Sequence, residues 1–132
     1  MTTVWLDSNV ILRYLLEEPK DHFERAKALL TRAAAGELRV HVSAIVAAEV
    51  MAILVHSYDV PRSDAAQTLI DLVSARGART EADVVDALEL SRDQKVDFVD
   101  AYTWLTCKRA NAELASFDKD FTTKLGAKVF NF

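Results

Sequence analysis

Along the chain, short β-prone runs alternate with stretches in which apolar residues recur at helical spacing. Thr3 to Leu6 is the first such run and ends at Asp7. From Val10 to Leu16 the apolar positions fit one helix face, so the order strand, acid, helix is expected. Pro19 punctuates the chain, after which Phe23, Ala26, Leu29, Leu30 and Ala33 define a second helix that stops at Gly36. Leu38 to Val42 predicts a strand, and Ser43 is placed to cap an apolar helix from Ile45 to His56 that carries Glu49. Pro61 and Gly77 bracket a helix over Ala65 to Ala75, and Thr80-Glu81-Ala82-Asp83 has the form of a capping box opening a helix through Val84, Leu88 and Leu90. Asp97 can cap a helix from Phe98 to Arg109. Ala112 to Phe117 reads as a strand ending at Asp118, and Ala127 to Phe132 as a last strand after Gly126.

This alternation predicts an α/β sandwich around a mainly parallel sheet, whose ligands belong at the carboxyl ends of the strands. A length of 132 residues with 51% apolar composition fits one domain spanning residues 1–132 with a real core. No apolar segment approaches a membrane span, and the amino terminus lacks the basic and apolar regions of a secretion signal. With one cysteine, Cys107, no internal disulfide forms, so a reducing cytoplasm is the expected compartment. The net charge of −4 speaks against a broad basic surface for nucleic acid.

Candidate chemistry lies in carboxylates. Asp7 and Asp118 follow strands, while Glu49 and Asp100 fall in early helical turns, so a parallel sheet can bring all four to one edge. Crowded carboxylates repel and must take up protons or share a cation. Oxygen ligands without His or Cys suit Mg²⁺ or Mn²⁺, completed by phosphate oxygens, which points to a phosphodiester substrate.

Four segments carry a resemblance: Leu6-Asp7-Ser8-Asn9-Val10-Ile11-Leu12, Ser43-Ala44-Ile45-Val46-Ala47-Ala48-Glu49-Val50, Val96-Asp97-Phe98-Val99-Asp100-Ala101 and Ser116-Phe117-Asp118-Lys119-Asp120-Phe121. In order and spacing they resemble the motifs of PIN domains, and the compact length is similar to VapC toxins of toxin–antitoxin pairs. The resemblance implies a three-layer α/β/α sandwich with four to five mainly parallel strands. It puts the acidic quartet on Asp7, Glu49, Asp100 and Asp118, with Asn9 or Ser8 as polar neighbour, Ser116 as the hydroxyl before the last acid, and Asp97 as auxiliary. It further implies Mg²⁺- or Mn²⁺-dependent hydrolysis of structured RNA such as tRNA or ribosomal RNA. Water activated by the metal would attack phosphorus and leave a 5′-phosphate and a 3′-hydroxyl. The implied partners are a VapB-like antitoxin and a second copy of the chain, in a homodimer and a toxin–antitoxin hetero-oligomer.

Plainer roles stand beside these. A single Asp after a strand is commonly a turn former or cap. Glu49 lies among Ile45, Val46, Val50, Ile53 and Leu54, where a charge is costly to bury unless paired or metal-bound, the alternative being an exposed or salt-bridged Glu. Asp97 has a strong claim as an N-cap, and Asp120 reads as a solvated turn residue. His22, His41 and His56 show no zinc-type spacing, Cys107 reads as a small buried hydrophobe, and Trp5 and Trp104 read as core or interface. Arg13, Lys20, Arg25, Lys27, Arg62, Lys108, Arg109, Lys119 and Lys124 either form a path for an RNA backbone or are scattered solubilising charges. Competing functions are a non-catalytic PIN-like protein-binding module, a Mg²⁺-dependent phosphatase or phosphoacceptor domain with Asp7 as acceptor, and a flap-type DNA nuclease, for which the chain is short.

Overall fold

The computed structural model describes residues 1–132. Its elements run β1 (Thr3–Trp5), α1 (Ser8–Leu16), α2 (Lys20–Ala34), β2 (Arg39–Val42), α3 (Ala44–Ser57), α4 (Arg62–Ser74), β3 (Ala78–Thr80), α5 (Val84–Gln94), α6 (Phe98–Arg109) and α7 (Asp120–Thr123). The sheet has the order β1-β2-β3 and is parallel throughout, with Val4 opposite Val40 and Val40 opposite Ala78. Each parallel step needs a crossover. The first carries α1 and α2, the second α3 and α4. The result is the expected α/β/α sandwich.

Burial explains why these runs become strands and helices. In β2, Val40 and Val42 are buried while Arg39 is exposed and His41 half-buried, the period-two pattern of a strand with one face in a core. Leu69 of α4 and Val84, Ala87 and Leu88 of α5 are fully buried, and these two helices pack together. They belong to one cluster of 24 buried apolar residues that also holds Ile11, Val40, Val42 and Val50. Burying each large aliphatic side chain contributes about 1.5–3 kcal/mol, so this cluster fixes where the strand ends lie.

Three expectations are corrected. Residues Ala78–Thr80 form a strand that the sequence pattern did not suggest. The reading of Thr80 to Asp83 as a capping box therefore fails: Thr80 donates its hydroxyl to the Val42 carbonyl at 2.6 Å, and the Glu81 carboxylate accepts from the Ala44 amide at the start of α3. Asp83 adopts φ 71° without capping α5 through its side chain. The two carboxyl-terminal runs read as strands reduce to one parallel bridge, Leu114 with Val129, so the regular ladder holds three strands and not four to five. The alternation of Ala112 to Phe117 persists as half-buried Leu114 and Ser116 between exposed neighbours, but no strand ladder forms on it.

Candidate active site

Because the sheet is parallel, all its strands deliver their following residues to one edge. Asp7 follows β1, Ser43 follows β2 and Glu81 follows β3. Asp7 takes the N-cap position of α1 with extended backbone (φ −80°, ψ 158°), yet its side chain makes no cap hydrogen bond. The carboxylate is thus exposed and uncommitted, unlike an ordinary capping Asp. Ser43 does cap: its Oγ accepts from the Val46 amide at 3.2 Å. Glu81, half-buried, bonds the adjacent helix start, so its charge sits at the positive end of α3.

A second acidic group gathers at the start of α6. Ser91, fully buried, donates to the Val96 carbonyl at 2.6 Å, tying the end of α5 to the residue before Asp97. Asp97 caps α6 by accepting from the Val99 amide at 2.8 Å, the structural role anticipated for it. Asp100, one turn on, is half-buried, and its carboxyl is held above the usual carboxylate range. The main cause is burial, followed by the negative charges of Asp97, Asp118 and Asp120; Arg62 opposes the shift. Ser116 accepts from the Asp118 amide at 2.9 Å, and one Asp118 oxygen accepts from the Asp120 amide at 2.9 Å, a turn that leads into α7. The structure therefore brings Asp97, Asp100, Asp118 and Asp120 into one electrostatic neighbourhood.

Glu49 is exposed on α3 and takes part in no ion pair, so burial does not force a partner on it. Asn9 is exposed in the first turn of α1, whereas Ser8 is buried. Sequence reasoning undervalued Asp120, which is half-buried, acts on Asp100 and approaches Lys124 at 3.5 Å. It also undervalued Glu81 and Arg62; Arg62 lines a cleft of about 60 Å³ with His56 and Asp97. Of the scattered basic residues, Arg109 pairs with Asp83, Lys124 with Asp120, and Lys108 lies over Trp104 at 5.4 Å. Trp5 is 65% exposed and stacks on His41 at 4.1 Å, while Cys107 is half-buried and its thiol meets the Ala112 carbonyl.

No three His, Cys, Asp or Glu side chains close into a ligand cluster. The donor chemistry nonetheless fits a hard divalent cation: every group is a carboxylate, Asp7 is uncommitted, and like charges crowd Asp100. A cation there would relieve that repulsion.

No helix is long and apolar enough to cross a membrane. No curated protein and no solved structure matches the chain. The family model described as the PIN domain matches residues 4–124. With that match over most of its length, and with acids at the carboxyl edge of a parallel sheet, the chain belongs to the PIN-domain family, a nuclease-type domain.

Proposed function

We propose that this PIN domain is a Mg²⁺- or Mn²⁺-dependent endoribonuclease acting on structured RNA, tRNA or ribosomal RNA, and that it is the toxin of a VapC-type toxin–antitoxin pair in the cytoplasm. The observation that carries the reading is the half-buried Asp100 carboxyl, held above the usual carboxylate range first by burial and then by the charges of Asp97, Asp118 and Asp120, in a family of nuclease-type domains. Carboxylates held against their own repulsion store a demand for positive charge, and at a phosphodiester-cleaving site that demand is met by a divalent ion.

Asp7, Glu49 and Asp100 would hold the ion, with Asp118 holding a second one or acting through water. When bound, the ion lowers the pKa of water and offsets the charge that develops on the phosphate. The remaining work belongs to the chain. Asp7 presents a free carboxylate at a fixed strand end, and Asn9, exposed in the same first turn, can donate to a phosphate oxygen. Ser116 fixes the backbone of Asp118, and the Ser91 hydrogen bond fixes the approach to Asp97 and Asp100. These contacts set carboxylate positions before substrate arrives, so less ordering is left for the binding step.

A second copy of the chain and a VapB-like antitoxin are the proposed partners. Exposed apolar side chains support a protein interface: Phe117 is 89% exposed, Ile45 80% and Phe132 67%. An antitoxin that reaches the acids with an arginine would satisfy the same negative charge that otherwise recruits metal.

The test is cleavage of total tRNA and ribosomal RNA with Mg²⁺, Mn²⁺ or EDTA, after stripping any copurified antitoxin. Metal-dependent cleavage that disappears in both Asp7→Asn and Asp100→Asn supports the assignment. Cleavage that survives both substitutions overturns the site, and absence of cleavage by the wild type favours a non-catalytic binding module.

A further inference from the structure

Helices α1 and α2 pack together and leave between them a cleft of about 580 Å³. Its polar lining is Asn9 and Arg13 from α1 with His22, Arg25 and Arg32 from α2. No carboxylate lines it, although Asp and Glu outnumber Lys and Arg by 20 to 16 in the chain. Such local segregation of charge against the net charge focuses a positive potential in a concave surface.

Two of the three guanidinium groups are free of carboxylates. Arg25 is exposed and forms no ion pair, and Arg13 donates to the Glu18 carbonyl at 3.3 Å. Arg32 is partly neutralised by Glu37 at 2.9 Å. His22, Arg25, Leu29 and Arg32 follow steps of three and four and so share one face of α2. From His22 to Arg32 that row climbs ten helical steps, roughly 15 Å at about 1.5 Å each, comparable to the rise of roughly four stacked nucleotides at about 3.4 Å each. One end is defined by Asn9 in the first turn of α1, so the cleft begins at the same helix end that Asp7 caps.

We propose that the α1–α2 cleft binds the RNA backbone on one side of the cleaved phosphodiester, with Arg13 and Arg25 on successive phosphates. The inference rests on the ribonuclease reading above and assigns the binding surface that an acidic protein needs beside its acidic site. No Phe, Tyr or Trp lines the cleft and three of its polar groups are guanidinium groups, so its main contact is to phosphate irrespective of sequence.

The test is fluorescence anisotropy of a labelled single-stranded uridine oligonucleotide with the whole chain in EDTA, titrated with NaCl. Removing two phosphate contacts in an Arg13→Gln, Arg25→Gln double variant is expected to flatten the slope of log affinity against log salt by about 1.4, at about 0.7 per contact on a single strand. Affinity at low salt is expected to fall about tenfold. Arg25→Lys, which keeps the charge, retains the slope, and an Arg39→Gln, Lys128→Gln control outside the cleft binds as wild type. Equal losses in the cleft and control variants, or none in either, overturn the proposal. If RNA binding is unmoved in the cleft variant while metal-dependent cleavage still requires Asp7, the cleft assignment fails and the ribonuclease reading stands. If the wild type neither binds nor cleaves RNA, the ribonuclease reading itself fails.

Discussion

At the scale of single residues, the same carboxylate can serve chemistry and oppose folding. Asp100 is half-buried beside three other acids, and its raised pKa means that the folded state penalises the ionised form. Asp100→Asn keeps the shape and removes the charge, so without metal its melting temperature is expected to exceed that of the wild type at neutral pH. Activity moves the opposite way, with loss of RNA cleavage. Mn²⁺ should then raise the wild-type melting temperature more than that of the variant; differential scanning fluorimetry reads both effects. A variant less stable than wild type in EDTA would show that Asp100 is a structural acid. Sequence spacing put Asp7 and Asp100 among the candidates because one follows a strand and the other opens a helix. It could not reveal that Asp7 leaves its cap unfilled, since cap geometry is set by rotamer and backbone. Nor did it mark Asp120, whose influence on Asp100 arises from folding across the chain and has no local signal.

At the scale of elements, α1 to α6 were legible because apolar periodicity marks them and Gly, Pro and the caps Ser43 and Asp97 punctuate them, whereas α7 and β3 were not. Ala78-Arg79-Thr80 lacks a run of β-branched residues, and it is a strand only because β2 offers it a parallel ladder. Gly77, immediately before it, shows how tightly this strand is held. Its φ is +84°, and a Cβ there would overlap the Ala33 carbonyl oxygen, which belongs to the backbone of α2. Gly36 has nearly the same φ, +83°, but a Cβ on it would meet nothing within 4 Å. Gly36→Ala is therefore expected to cost only the left-handed strain, about 1–2 kcal/mol, whereas Gly77→Ala must also move backbone and should lose several times more or fail to fold. Urea denaturation of the two variants measures the gap; equal losses would show that α2 shifts freely away from β3. The junction of α5 with α6 offers a pH test. The Arg109 guanidinium hydrogen bonds Asp83 and holds its carboxyl below the usual carboxylate range. A lowered folded pKa gives stability that is present above the unfolded value of 3.8 and is lost as pH falls through the folded one. Asp83→Asn, which tolerates the positive φ, is expected to be less stable than wild type at pH 7, with the difference closing as the pH drops below about 3.8. A difference that stays constant over that acid range would mean that the pair adds nothing through charge.

At the scale of the whole molecule, the parallel sheet sets its acids at one edge, while exposed apolar side chains remain on the outside of a core that needs none of them. Phe117 and Phe132 lie with ring centroids 4.9 Å apart, 89% and 67% exposed, and Phe130 is 49% exposed. Solvent-facing rings contribute little to folding, because most of their area is never removed from water. They gain that contribution only when another surface covers them, and aromatic side chains are the group enriched in the buried centres of protein interfaces. Phe117 also precedes Asp118, so a partner seated on these rings would border the candidate site. Under the proposed homodimer, Phe117→Ser with Phe132→Ser is expected to leave the melting temperature of dilute protein almost unchanged while lowering the sedimentation-velocity mass from dimer to monomer. If the double variant and the wild type sediment alike across a hundredfold range of concentration, the aromatic surface is not the self-association face. An RNA-cleaving monomer would then satisfy the ribonuclease reading without it, because the acids and the α1–α2 cleft all belong to one chain.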